Sequence, residues 1–279
     1  MLTSTLRRTL AAIGSAAIVA TALAACTPTT PEAQSDYVTE GKLTIATGNP
    51  AYYPWVIDDA PESGEGFESA IAYAVADELG FAKEDVVWVR TGFDEVIAPG
   101  PKTFDFNIQQ FSITPDRAEV VDFSSPYYET TQVVITTEDS AAADATRIAD
   151  LTGLLIGAAT GTTSFSAAES QIAPTAGVQV FNSNDDAKLA LESGTVDALV
   201  VDLPTAFYLT GVELTGGLIV GQLPTTEGET GDQFGLLLPK DSALTADVTA
   251  AVDALRDSGR LTEIADEWLA DAGSAPLLK

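Results

Sequence analysis

The chain has 279 residues, of which 41 are acidic and 13 are basic, and it contains one cysteine and no histidine. A formal net charge of −28 opposes nucleic-acid binding, and the lack of histidine excludes Ser-His-Asp and Cys-His catalysis and His-ligated zinc. A single cysteine excludes an intramolecular disulfide, and we predict neither a metal nor a cofactor.

The N-terminus has the composition of a secretory signal peptide. Two arginines precede an apolar run from Leu10 to Leu23, which is too short and Ala-rich for a good permanent membrane span. The run leads into Leu-Ala-Ala-Cys, which resembles a bacterial lipobox and implies that Cys26 is lipidated; the alternative is a buried free thiol. We predict a signal peptide at 1–25, and the lipidated cysteine with a flexible tether at 26–36. The protein would then be anchored on the extracytoplasmic face of the cell membrane.

The rest of the chain alternates short β-rich runs with amphipathic helical runs, which predicts an α/β fold with mostly parallel sheets flanked by helices. Strands are predicted at 42–47, 86–90, 104–109, 132–137, 154–159, 178–181, 198–202 and 234–239. Helices are predicted at 66–80, 164–173, 185–194, 243–259 and 261–270.

Two β-rich segments, 127–137 and 225–239, enclose a complete βαβ set. A self-contained set inserted into another predicts two lobes joined by two hinge strands. We place residues 37–130 and 234–279 in lobe 1 and residues 131–233 in lobe 2, and we expect a monomer.

An arginine occupies an unusual place in a short predicted helix. Thr114 is a predicted N-cap, Pro115 suits the first helical position, and Arg117 falls in the first turn, where the helix dipole disfavours a cation. This placement is explained if the guanidinium and the free backbone N–H groups bind the same anion. The alternative is an ordinary capped helix with an exposed arginine.

Two further positions follow predicted strands. Residues 159–164, Ala-Thr-Gly-Thr-Thr-Ser, offer backbone and hydroxyl donors for an anion, although capped helix starts after strands are common. Asp202 ends another strand, where it either caps the next helix or meets an ammonium group. The carboxyl ends of strands are where open α/β sheets bind ligands.

Aromatic residues follow the first two strands: Tyr52, Tyr53 and Trp55 after one, and Phe93 after the other. They are either core plugs or the walls of a cleft. Anion-seeking donors, an ammonium-seeking aspartate and aromatic walls together describe a site for a zwitterion. The anion bound by Arg117 would then be an α-carboxylate.

The segments SITPDRAEVVDFSSPYY, GLLIGAATGTTS, ESGTVDALVVDLPTA and LRDSGRLTEIADEWL resemble the solute-binding proteins of polar amino acid ABC transporters. The resemblance covers residues 41 to 270. It implies a two-lobed periplasmic-binding-protein-like (type II) fold, capture of an amino acid or close analogue, delivery to an ABC permease in the membrane, and no enzymatic activity.

The resemblance also implies roles for individual residues. Ser112 and Arg117 would hold the ligand carboxylate together with the Thr163 N–H, while Asp202 and the Gln110 carbonyl would accept from the ammonium. The predicted ligand-binding residues are Asn49, Tyr52, Trp55, Phe93, Gln110, Ser112, Arg117, Thr162, Thr163 and Asp202.

The chain departs from the family pattern where specificity is set. Asn49 replaces the Asp found in many relatives that prefer basic amino acids, Glu68 replaces the Asp of a usual GFD motif, and Gln109, Gln110 and Phe111 put bulk at the cleft. Two alternatives stay open: a cyclohexadienyl-dehydratase-like enzyme, with Glu68 or Asp202 as its acid, and a ligand-sensing receptor lobe.

Overall fold

The computed structural model describes residues 36–225, 231–269 and 275–279. The predicted signal peptide, Cys26 and all of the predicted tether except residue 36 lie outside the described residues. Among the helices of the described part, none combines the length and the apolar character that crossing a membrane requires.

Ten strands form two five-stranded sheets, in the orders β2-β1-β3-β10-β4 and β7-β6-β8-β5-β9. The strands are β1 Leu43–Gly48, β2 Val86–Thr91, β3 Phe106–Asn107, β4 Val121–Thr130, β5 Gln132–Thr137, β6 Ile156–Ala159, β7 Gln179–Phe181, β8 Ala198–Asp202, β9 Gly217–Gln222 and β10 Asp232–Pro239. In each sheet one strand runs against its neighbours: β10 in the first and β5 in the second. Each of these reversed strands directly follows a crossing between the sheets.

Nine α-helices flank the sheets: α1 Phe67–Glu78, α2 Phe93–Ile97, α3 Pro115–Ala118, α4 Ile148–Leu151, α5 Thr163–Ala167, α6 Asn184–Glu192, α7 Leu203–Tyr208, α8 Thr245–Asp257 and α9 Arg260–Trp268. Short 3-10 turns lie at Ile57–Asp59, Pro61–Ser63 and Lys83–Asp85, and π-helical turns extend α5 and α7 at Ala168–Ile172 and Leu209–Glu213. These counts refer to the described residues.

Alternating side chains explain why the strands of the second sheet read as continuous apolar runs. In β5, Val133 and Ile135 pack into one core cluster, and Val134 packs into another on the opposite face. Helices cover both faces, so all three side chains are fully buried. In the first lobe, α1, α8 and α9 close one face of the sheet around Phe67, Phe234 and their neighbours.

Two strands were missing from the sequence prediction. β4 extends over ten residues because it pairs along most of its length with β10, a partner more than 100 positions away. β9 is an edge strand whose half-buried residues show no clear alternation. Long-range pairing, and not local propensity, defines both strands.

The C-terminal residues lie in a different lobe from the one predicted. Residues 275–279 contact the second lobe: the Gln222 N–H donates to the Pro276 carbonyl at 2.7 Å and the Leu278 N–H donates to the Gln222 carbonyl at 2.9 Å. Leu278 is buried in a core cluster of that lobe. The outer edge of β9 pairs with this segment and the core cluster accepts Leu278, which explains the placement and corrects the assignment of this segment to lobe 1.

We expect Leu278→Ala to lower the free energy of unfolding by about 2 kcal/mol, because it removes a side chain that is 3% exposed from a packed core. The neighbouring Leu277 is 61% exposed, so Leu277→Ala is a matched control with an expected change below about 0.5 kcal/mol. Chemical denaturation of both variants measures the difference. Equal effects would show that the C-terminal segment is not packed on the second lobe.

Candidate ligand-binding cleft

A cavity of about 180 Å³ lies between the two lobes, at the carboxyl ends of parallel strands from both sheets. Nine of the ten predicted ligand-binding residues line it: Asn49, Tyr52, Phe93, Gln110, Ser112, Arg117, Thr162, Thr163 and Asp202. The wall also contains residues that were not predicted as ligand-binding: Pro50, Thr91, Gly92, Gln109, Ala159, Thr160, Asn182, Ser183 and Asn184.

Trp55 is the predicted residue that the structure places elsewhere. Its side chain is 0% exposed and packs edge-on against Phe67 and Phe234 in the first lobe. Its indole N–H donates to the Thr205 hydroxyl of the second lobe at 3.4 Å. The chain after β1 turns inward, so this large apolar ring fills the core and does not line the cavity.

The Arg117 guanidinium is buried at the interface between the lobes and receives no carboxylate. Its Nη1 donates to the Ser112 carbonyl at 2.7 Å and its Nη2 donates to the Gly161 carbonyl of the second lobe at 2.9 Å. The stacked rings of Phe93 and Phe111 lie 5.5 and 5.9 Å from it. No ion pair involves Arg117 among the described residues. A buried cation with neutral partners favours an added anion.

The local geometry of Arg117 matches the predicted cap. The Thr114 hydroxyl accepts from the Arg117 N–H at 3.2 Å, as an N-cap does. However, α3 is a single turn of four residues, so its dipole is small. The guanidinium, and not the helix end, supplies the positive charge of this wall.

Near Arg117, a cluster of polar groups links the two lobes. The hydroxyls of Ser112 and Thr163 lie 3.1 Å apart across the cleft. The Gln132 side-chain nitrogen donates to Asp202 at 2.8 Å and to Asp232 at 2.7 Å. Sequence analysis missed Gln132 and Asp232, since a polar residue at the first position of a strand has no distinctive signal.

Asp202 has an electrostatic environment that suits a bound cation. Burial raises the pKa of the Asp202 carboxyl to about 7, and the charge of Asp232 adds to the rise. The hydrogen bond from Gln132 and the charge of Arg117 oppose it. An ammonium group at this wall would stabilise the ionised carboxylate.

Glu68 is a second carboxyl group with a strongly altered environment. It is fully buried at the start of α1 and accepts from the Gln110 N–H at 2.7 Å, from the Gln110 side-chain nitrogen and from the Tyr127 hydroxyl. Burial raises its pKa to about 7, against the effect of these three hydrogen bonds. Gln110 lines the cavity and has a φ of +48°, which is a left-handed conformation. Its hydrogen bonds to Glu68 hold it in this conformation.

A second cavity of about 210 Å³ shares Pro50, Tyr52, Gln110 and Asn184 with the first. At this border the Tyr52 hydroxyl donates to Asp185 of the second lobe at 3.3 Å. The predicted aromatic wall at Tyr52 therefore divides two spaces between the lobes. Phe111, which the sequence placed at the cleft, is buried and stacked on Phe93 instead.

Two lobes, two crossings and an enclosed polar cavity define a two-lobed ligand-binding protein. Residues 43–271 match the model of the bacterial extracellular solute-binding proteins, family 3, and the chain belongs to this family. It is an extracytoplasmic solute-binding protein. The family and the two-lobed α/β fold expected from the sequence are thereby confirmed, whereas the roles of individual cleft residues stay predictions.

Individual relatives and solved structures that resemble this chain are also named as amino acid-binding proteins. An L-arginine-binding protein of Pseudomonas aeruginosa is 32% identical over 225 residues, which are 78% of this chain and 84% of that protein. The structure of an ancestral arginine-binding protein bound to glutamine has a TM-score of 0.69 at 28% identity, covering 82% of this chain and 98% of that one. An ancestral amino acid-binding protein described as a precursor of cyclohexadienyl dehydratase has a TM-score of 0.67 at 28% identity, covering 82% and 95%.

Glu68 gives a prediction about stability and pH. Because its pKa is higher in the folded protein, the folded state holds more protons than the unfolded state between about pH 4.5 and pH 7. The free energy of unfolding should therefore fall as the pH rises through this window, by up to about 1.4 kcal/mol per pH unit for one proton. Glu68→Gln should make this fall less steep.

Denaturant titrations between pH 5 and pH 8 measure the slope. Glu78→Gln is the matched control, since Glu78 is exposed on the same helix and should leave the slope unchanged. A slope that is identical in the wild type and in Glu68→Gln would contradict a raised pKa at this site.

Proposed function

We propose that this protein captures an amino acid in the interlobe cavity and delivers it to an ABC importer. The observation that carries the proposal is the buried Arg117 guanidinium, which donates to two carbonyl groups, has no carboxylate partner among the described residues and lines a cavity that the Asp202 carboxyl also lines. A small solute with a carboxylate and an ammonium group complements both. A volume of about 180 Å³ is below the roughly 300–1,000 Å³ of drug-sized ligand pockets, which favours such a small solute.

The residues divide between the lobes in a way that couples binding to closure. Ser112, Arg117 and Phe93 belong to the first lobe, while Thr163 and Asp202 belong to the second. A ligand favours the closed state only to the extent that it interacts better with that state. The second-lobe contacts supply this difference, and the open form would bind the ligand through the first lobe alone.

The side chain of the ligand would extend past the border at Tyr52 into the second cavity. Relatives are named for arginine, and one structural neighbour is described as bound to glutamine, so both side chains fit this family. Asn49 supplies no charge to the cavity, whereas Asp185 lies at its border. We therefore propose a polar side chain with hydrogen-bond donors.

We further propose that a lipid at Cys26 holds the protein at the membrane, where it meets the permease as a monomer. The Leu-Ala-Ala-Cys segment supports the anchor. Two or three acyl chains would suffice, since each buried CH₂ contributes roughly 0.8 kcal/mol. Metabolic labelling with a clickable fatty acid, compared between the wild type and Cys26→Ser, tests it.

An enzymatic role has less support than binding. The named relatives are binding proteins, and the structural neighbour described as a precursor of cyclohexadienyl dehydratase is itself described as amino acid-binding. The two carboxyls that would serve as acids, Glu68 and Asp202, each accept hydrogen bonds from neighbouring amides. Turnover of prephenate by the purified protein would favour the enzyme.

The central test is the loss of the guanidinium. Arg117→Ala should weaken binding of the amino acid at least about 100-fold, because it removes charge-assisted hydrogen bonds to a carboxylate that stays buried. A thermal-shift panel of the twenty amino acids identifies ligands, and calorimetry measures them. Arg147→Ala is the control, since Arg147 is exposed and paired with Asp150. Binding by Arg117→Ala within a few-fold of the wild type would refute the assignment.

Asn49→Asp tests how the cavity selects the side chain. The added carboxylate should raise the affinity for L-arginine relative to L-glutamine by about fivefold, as expected for a partly solvated ion pair. Asn49→Ala removes the amide without adding charge and should leave the ratio unchanged. Calorimetry with both ligands gives the ratio, and an unaltered ratio in Asn49→Asp would mean that residue 49 does not face the ligand side chain.

A further inference from the structure

Three side chains, those of Gln132, Asp202 and Asp232, connect the wall of the cavity to the two crossings between the lobes. Gln132 is the first residue of β5, immediately after the first crossing, and Asp232 is the first residue of β10, immediately after the second. Gln132 is paired with Asp202 in the sheet of the second lobe, and Asp232 is paired with Thr130 in the sheet of the first. The Gln132 side chain thus connects both crossings to Asp202.

The hydrogen bonds bring two carboxylates close together. One nitrogen of Gln132 donates to Asp202 Oδ1 at 2.8 Å and to Asp232 Oδ2 at 2.7 Å, so these oxygens lie within 5.5 Å of each other, the sum of the two distances. At this separation the charge of Asp232 adds to the rise in the pKa of Asp202. Neither carboxylate forms an ion pair within the described part of the chain.

Gln132 itself indicates an absent partner. Its side chain is 7% exposed, its nitrogen donates to both carboxylates and, at 3.3 Å, to the Thr163 hydroxyl, and its amide oxygen is buried with no hydrogen-bond partner among the described residues. A buried acceptor without a donor is unfavourable, because it has lost its hydrogen bonds to water. An ammonium group carries three donors, and Asp202 is the member of this cluster that lines the cavity and would accept from it, with Gln132 and Asp232 directly behind.

We propose that Asp232 and Gln132 act as positioning residues behind Asp202, and that the three side chains together form a dicarboxylate receptor for the ligand ammonium. This inference rests on the proposed function. It adds Gln132 and Asp232, which lie at the crossings, to the residues that recognise the ligand ammonium. Binding of the ammonium would then offset the repulsion between Asp202 and Asp232, at the place where the lobes are joined.

Other charged groups face the same region. Arg117 and Glu68 interact electrostatically with Asp202, and the rings of Tyr127 and Tyr128 lie close enough for its charge to raise their pKa values, although burial is the larger cause for both. Glu68 has a pKa raised to about 7 by burial and titrates in the same range as Asp202. A pH dependence alone would therefore not assign the proton, and a variant at Asp232 is needed.

The protonation of Asp202 determines whether ligand affinity rises or falls with pH. Below about pH 7 its carboxyl carries a proton in the empty protein, and the ligand ammonium must displace it, so affinity should fall as the pH falls. For one displaced proton, binding of L-arginine or L-glutamine should be about tenfold weaker at pH 6 than at pH 8. Calorimetry in phosphate and in Tris at one pH counts the released protons directly.

Asp232→Asn should weaken the effect, because it removes the charge that adds to the rise in the pKa of Asp202, while the contribution of burial remains. We expect the affinity of this variant to change less between pH 6 and pH 8 than that of the wild type, with correspondingly fewer protons released. Asp257→Asn makes the same change at an exposed helix end and should keep the tenfold difference.

The following results would overturn the inference or the proposed function. A wild-type affinity that is equal at pH 6 and pH 8, or an unchanged pH dependence in Asp232→Asn, would overturn the inference while leaving the proposed function intact. If Asp232→Asn fails to fold, the wild-type proton count in two buffers keeps the inference falsifiable, since a count of zero overturns it. Absence of binding of both amino acids to the wild type at pH 8 would overturn the proposed function, and this inference with it.

Discussion

The cleft depends on one buried cation that has no anionic partner within the described chain. The Arg117 guanidinium donates to carbonyl oxygens of both lobes and lies beside two stacked phenyl rings. Burial lowers its pKa, opposed by the charges of Asp232 and Asp202, yet an arginine remains protonated in proteins. Because a buried charge without an opposite charge is unfavourable, this wall of the cavity is complete only when an anion is present.

The fold explains how opposite charges reach one cavity. In both sheets the parallel strands end at the interlobe space, so the residues that follow β1, β2 and β3 face those that follow β6, β7 and β8. Each lobe adds one reversed strand next to its crossing, and these strands begin at Gln132 and Asp232. The same topology that gathers the cavity-lining residues therefore places polar side chains at the points where the lobes are joined.

Features that depend on residues close together in the chain could be predicted from the sequence. Thr114 and Arg117 were readable because a cap and a misplaced cation are local features, and Asp202 was readable because it ends an apolar strand. Trp55 was misassigned, since its burial depends on Phe67, Phe234 and other distant partners. The environments of three further side chains are set by hydrogen bonds to residues 42 to 100 positions away in the chain: Glu68, Gln132 and Asp232. The C-terminal segment likewise follows the free edge of β9, which no local pattern reveals.

Charge balance sets a further constraint on what the cavity accepts. Arg117 provides one positive charge, whereas Asp202 and Asp232 provide two negative charges when both are ionised, and Glu68 lies nearby. A zwitterion adds no net charge, so it leaves this excess in place, and the remaining compensation must come from a proton or from a cationic ligand side chain. Asn49 does not add to the excess, while Asp185 at the border does. A neutral residue at position 49 is therefore compatible with a basic ligand, because carboxylates elsewhere in the cleft already supply the opposite charge.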